Sequence, residues 1–322
     1  MGTNKFDVTV LGEILIDFTY QGLSKFNQKL FAQNAGGAPA NVAVCISKLG
    51  RKSAFIGKAG DDMHGHFLKE TLEKQNVNTD NFILDNKYFT TLAFVDINDK
   101  GERTFSFSRK FSADIMLEKN DIKTEILNNS KILHVGSLSL TDEPSKEATY
   151  FTVKKAKENG TIISYDPNYR ASLWENKENS KETMRSLIEY TDVMKISDEE
   201  TELLTGIVEP EKAGSKLVEL GVKIAVVTLG GDGACVCTKD GCVKVSGYKS
   251  NVVDTTGAGD SFWGGFLYKL SESGKNPSEI TLEEASSFAK FGNAVASICV
   301  EGFGAIPSMP SMEMVVERMN KN

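Results

Sequence analysis

No stretch of about eighteen apolar residues occurs anywhere in this chain of 322 residues, which excludes a membrane-spanning helix. Segment 1–6 also lacks the apolar core of a secretory signal, so a cytoplasmic protein with no membrane partner is expected. Basic runs are missing. With 37 Lys and Arg against 44 Asp and Glu the net charge is −7, and a pI near 5.3 argues against a nucleic-acid partner. The five cysteines (Cys45, Cys235, Cys237, Cys242 and Cys299) are odd in number, scattered and without a C-x-x-C pair, which predicts reduced thiols. Cys235 and Cys237 alternate along a strand, and their spacing favours buried small residues of a hairpin over a zinc site. His64 and His66 have no partners at metal spacing and read as surface residues. Internal repeats and low-complexity segments are absent. So are G-x-x-x-x-G-K-[ST], a Rossmann G-x-G-x-x-G and an H-R-D loop, so any nucleotide must be held by other means.

What is present is ample apolar material, 40% of residues, enough for a large core. Residues 7–15 form a nearly continuous β-type run, the pattern of a strand buried on both faces, with Asp17 at its end where ligands of parallel sheets sit. From 131 onward strand and helix patterns alternate: 131–135 then 146–158, 161–165 then 178–190, 192–196 then 199–205. That alternation predicts a doubly wound, mostly parallel sheet flanked by helices, in one α/β domain spanning 1–322. One feature breaks the rhythm. Residues 90–97, the turn Asn98-Asp99-Lys100-Gly101 and residues 102–108 read as a hairpin. Joined to strands from the 18–34 region, it would make a small β-sheet lid from segments of about 18–34 and 89–110.

The stretch that carries chemistry is 251–265. β-branched residues lead into Asp254-Thr255-Thr256-Gly257-Ala258-Gly259-Asp260, and apolar positions at helical spacing follow. Gly257, Ala258 and Gly259 leave the backbone amides bare at a helix start, where unpaired N–H groups and the macrodipole favour an anion. Asp260 stands in that first turn, placed to take a proton from a hydroxyl attacking a phosphoryl group.

Asp-Thr-Thr-Gly-Ala-Gly-Asp resembles the second signature of the ribokinase-like (PfkB) sugar kinases, and Gly36-Gly37-Ala38-Pro39-Ala40-Asn41-Val42-Ala43 resembles the first. The likeness runs from Gly12 to about Pro310 and implies the ribokinase-like fold. It makes Asp260 the catalytic base, with Gly257, Ala258 and Gly259 the anion hole. Asp17, Gly36, Gly37 and Asn41 become sugar ligands, with Arg109, Asn168 and Arg170 as further substrate contacts. Thr228, Gly230 and Gly233, matching T-x-G-x-x-G, lie with Gly257 and Gly259 along the nucleotide, and Asn293 borders adenine. Glu200 keeps half of the family's N-x-x-E motif, Ser197 replacing its Asn, and is expected to order water on Mg²⁺. In potassium-activated relatives the positions of Asp254, Thr256, Cys299, Gly302, Gly304 and Ser308 hold K⁺.

The motifs are most similar to those of the fructokinase branch. They imply phosphorylation of D-fructose by ATP to fructose 6-phosphate, with Mg²⁺ and an optional K⁺, and a homodimer formed through the lid. A kinase for another sugar (ribose, 2-keto-3-deoxygluconate or a nucleoside) is the nearest alternative. A silent sugar sensor is the remote one, disfavoured because a sensor needs no base.

Overall fold

Phe-Asp-Val-Thr-Val-Leu and Ile-Ala-Val-Val-Thr are rich in β-branched residues, and in the computed structural model, which describes residues 5–97 and 103–321, both are buried strands. The strands are β1 (Phe6–Leu11), β2 (Leu15–Leu23), β3 (Lys29–Gly36), β4 (Ser53–Gly60), β5 (Asn78–Asp85), β6 (Leu92–Ile97) and β7 (Arg103–Ser108). They continue with β8 (Ser130–Gly136), β9 (Ile162–Asp166), β10 (Val193–Ser197), β11 (Ile224–Thr228), β12 (Ala234–Thr238) and β13 (Gly241–Val245). The turn expected at 98–101 lies outside the described residues.

Among the described residues nine strands form one sheet in the order β13-β12-β11-β10-β9-β8-β1-β4-β5, parallel except for the β12–β13 hairpin at one edge. Side chains alternate between its faces. Val8, Val10 and Phe55 pack with Val42, Leu68, Phe266 and Phe288 from helices on one side; Leu11, Ala54 and Ile56 pack with Ile126, Val153, Met184 and Leu217 on the other. Strand order reverses direction at β1, whose neighbours are β8 and β4. The crevice beyond the carboxyl ends of these strands is where ligands of such sheets bind. Among the described residues no helix is long and apolar enough to cross a membrane.

A separate sheet, β3-β2-β6-β7, stands beside the first, with β2–β6 parallel and the outer pairs antiparallel. Its placement corrects one expectation. β1 ends at Leu11 rather than running through 15, and the chain crosses at 12–14 into β2. Asp17 therefore belongs to the small sheet, paired with Asn34 and Ala93, rather than to the tip of a core strand.

Two further expectations fail. Cys237 and Cys242 are not reduced thiols but a disulfide, because the antiparallel register sets them directly opposite each other. His64 is no free surface residue: half-buried, it meets Phe18 edge-on at 5.7 Å.

Candidate active site

Helix Ala258–Ser273 begins on Gly257, whose φ of 77° is a left-handed conformation and whose missing Cβ would lie 2.5 Å from that of Ala305. Trp263 on the same helix donates from Nε1 to Ser164 Oγ on β9 at 2.9 Å, which pins the helix start over the carboxyl end of the sheet. Asp260 follows one turn in and is 8% exposed. Its Oδ2 accepts a 2.8 Å hydrogen bond from Asn41 Nδ2. Asn41 comes from helix Ala38–Lys48, entered through Gly37 (φ 107°), where a Cβ would meet the Glu13 carbonyl at 2.6 Å.

Asp260 opens onto a cavity of about 310 Å³. Its walls include Glu13, Asp17, Gly37, Asn41, Phe107, Asn168, Arg170, Lys195 and the turn 255–260. Gly36 lies behind it, so close that a Cβ there would reach the Asp17 carboxylate. A second cavity of about 780 Å³ is lined by Thr228, Gly230, Gly233, Tyr248, Phe262, Asn293, Glu301 and their neighbours. Thr255, Ala258 and Gly259 line both. The glycine-rich turn is thus the partition between a chamber of sugar size and one of nucleotide size.

Charge is concentrated on the smaller chamber. Burial raises the Asp260 pKa, with Lys195 and the Asn41 bond pulling it back. Burial lifts Asp17 to about 6 against the attraction of Arg170, and lifts Glu13 to about 7 against that of Arg109. Glu13 Oε1 accepts the Ala38 N–H at 3.2 Å, while Oε2 is buried with no hydrogen-bond partner among the described residues. Lys195 sits 2.7 Å from Asp166, both almost wholly buried. Burial alone would discharge that ammonium, but Asp166 and Glu200 outweigh it and raise the pKa. The space a Gly259 side chain would occupy is 3.0 Å from Lys195 Nζ, so a fixed positive charge flanks the turn.

Some expected residues lie apart from the two chambers. Arg109 lines neither; its guanidinium holds Asp114 at 2.7 Å, Thr141 Oγ1 at 2.9 Å and the Leu138 carbonyl at 2.8 Å. Glu200 lines neither as well. One of its oxygens accepts the Tyr169 N–H at 2.7 Å and the other the N–H and hydroxyl of Ser197. Asn293 reaches the larger chamber, yet its amide donates to the Val245 and Ser246 carbonyls, bracing the β12–β13 hairpin. Asn168 and Arg170 reach the smaller chamber from a loop in which Asn168 takes a φ of 46°.

The residues expected around K⁺ gather in one corner. Asp254 accepts the N–H groups of Thr256 at 2.7 Å and Gly304 at 3.0 Å, Gly302 donates to the Cys299 carbonyl, and Ser308 abuts Gly302.

Sequence reasoning missed Lys195, Glu13 and Phe107 as chamber residues. Lys195 had a signal: a lysine inside Val-Met-Lys-Ile-Ser, buried on both faces of a central strand, requires a charged partner. Glu13 and Phe107 had none beyond their proximity to Asp17 and Arg109.

Residues 5–312 match the model of the pfkB family of carbohydrate kinases. The chain is 43% identical over 319 residues to a probable chloroplastic fructokinase-6 of Arabidopsis thaliana, covering 98% of this chain and 82% of that one. Among solved structures it resembles a fructokinase of Xylella fastidiosa with bound ATP, with a TM-score of 0.91 and 31% identity over 98% of each chain. It also resembles a fructokinase of Vibrio cholerae O395 bound to fructose, ADP and calcium, with a TM-score of 0.87 and 32% identity over 97% of this chain and 98% of that one.

Proposed function

This chain belongs to the pfkB family of carbohydrate kinases, and from that premise we propose that it transfers the γ-phosphoryl group of ATP to the primary hydroxyl of D-fructose, giving fructose 6-phosphate and ADP. The observation that carries the reading is the shared wall: two chambers meet at 255–259, and a buried carboxylate stands at the meeting point.

The sugar occupies the smaller chamber, where Asp17, Gly37 and Asn41 offer an acceptor, a close backbone approach and an amide. Asp260 takes the hydroxyl proton as the sugar oxygen bonds to phosphorus and the bond to ADP breaks. The amides of 257–259 and the Lys195 ammonium face the charge on the moving group, a preorganised field that water would have to reorganise to supply. Lys195 keeps its own charge through Asp166. ATP lies in the larger chamber along Thr228, Gly230 and Gly233. Mg²⁺ supplies charge neutralisation on the phosphates. Glu200, whose oxygens are held by backbone and Ser197, would reach it only through water. The Asp254 corner, with its carboxylate, carbonyls and hydroxyl, offers the oxygen donors that suit K⁺.

The small sheet serves as a lid: Phe107 of β7 already lines the sugar chamber. Hydrogen exchange in β6 and β7 should slow when fructose is added, and unchanged protection would remove the lid. Leu23, Phe26, Leu30, Phe31 and Phe94 are exposed on this sheet and its turn, an apolar patch suited to a second copy. Sedimentation of a monomer at micromolar concentration would count against that dimer. For the reaction itself, ADP release is measured across fructose, ribose, 2-keto-3-deoxygluconate and adenosine. Fructose should give the highest kcat/KM, and a clearly better competitor overturns the assignment.

A further inference from the structure

The β12–β13 hairpin carries three of the five cysteines on one face. Cys235 and Cys237 are two residues apart on β12 and share a side, and Cys242 on β13 stands opposite Cys237. The Cys235 and Cys237 sulfurs are 3.9 Å apart, and all three sulfurs lie within 4.8 Å of one another. Helix Pro210–Glu219 covers them. Its Glu211 carbonyl is 3.7 Å from Cys237 Sγ and 3.6 Å from Cys242 Sγ, and Ser215 Oγ is 3.2 Å from Cys242 Sγ.

We propose that Cys235, Cys237 and Cys242 form a binding site for one soft divalent cation of the zinc and cadmium class, open when the Cys237–Cys242 disulfide is reduced and shut when it is formed. Two zinc–sulfur bonds of about 2.3 Å at a tetrahedral angle place their sulfurs about 3.8 Å apart. The Cys235–Cys237 separation already has that value. Cys242 completes the triangle once its bond to Cys237 is broken, and Ser215 Oγ stands where an oxygen donor can fill the fourth position.

Reduction consumes two electrons and two protons from a dithiol reductant, which leaves as its own disulfide. Metal binding then displaces three thiol protons. The C-x-C-x₄-C spacing matches no familiar zinc pattern, because the third ligand arrives through strand register rather than along the chain.

The test uses the full-length protein, reduced with a dithiol and freed of reductant, titrated with cadmium chloride while sulfur-to-cadmium charge-transfer absorption is followed. Absorption should saturate at one ion per chain, be absent before reduction, and be lost in Cys235→Ser and in Cys242→Ser. Cys242 is only half-buried, so its variant keeps the packing and the fructose-dependent ADP release. Absence of the band in the reduced protein, or its persistence in either variant, overturns the site.

Discussion

Asn41 and Asp260, 219 residues apart in sequence, share a buried 2.8 Å hydrogen bond that joins the glycine-rich turns at 36–37 and 257–259. The amide donates, so the bond favours the ionised carboxylate. It also fixes which oxygen of Asp260 remains to face a hydroxyl.

Asp260→Asn keeps the size and the helix-start position but cannot accept a proton. Turnover should fall by about 10²–10⁴-fold, a barrier increase of roughly 3–5 kcal/mol. Fructose binding measured by calorimetry should change little, since Asp17, Gly37 and Asn41 remain. Unchanged turnover would remove Asp260 as the base.

Asn41→Ala removes a bond that lowers the Asp260 pKa, so the acid limb of the kcat profile should move to higher pH. Burial already raises that pKa, and the variant deepens the effect. The kcat profile is the informative one, because it reports the substrate complex rather than the free enzyme in which Asp17 also titrates. A limb that stays in place would mean that Asn41 does not act on the base.

Lys195→Met preserves most of the volume and leaves the Asp166 carboxylate buried without its counter-charge. Breaking one side of such a pair costs about 3–5 kcal/mol of stability. The double variant with Asp166→Asn should lose much less than the sum of the two single losses, a coupling read from urea melts. Strict additivity would mean the two groups do not interact.

The fully buried Glu13, raised to about 7, and Asp17, raised to about 6, predict a stability trend in the unliganded protein. Carboxyls whose folded pKa lies above the unfolded one stabilise the fold when protonated. That contribution is complete below the unfolded pKa near 4 and is lost as pH rises through 6 and 7. Thermal midpoints should therefore fall between pH 5 and pH 7.5. Glu13→Gln should flatten the fall by on the order of 3 kcal/mol for a shift of this size. An identical slope in the variant would count against a buried, neutral Glu13.

The two signature turns were legible because their information is local: Gly-Ala-Gly before an aspartate and Gly-Gly before Ala-Pro specify helix starts without reference to the rest of the chain. Alternating strand and helix text gave the layered sheet for the same reason. Asp17 was placed at the end of the first core strand because 7–15 reads as a nearly continuous β-type run, and only the crossing at 12–14 separates β1 from β2. The Cys237–Cys242 bond and the Lys195–Asp166 pair depend on register between strands, which no single segment encodes. Glu200 was found by its motif, and its bonds to Ser197 are a local Ser-x-x-Glu capping box, but the Tyr169 N–H on its other oxygen comes from a loop 31 residues away.

Thr255, Ala258 and Gly259 face both chambers, so the partition is one turn of backbone with scarcely a side chain on it. A hexose and an adenosine bridged by a short polyphosphate would straddle that turn as one tethered molecule. Such a molecule loses translational freedom once while engaging both chambers, so its affinity should exceed that of either half by the effective concentration the tether imposes. A thin partition that lets two reactants touch also makes the pair of chambers, in pharmacological terms, a single target.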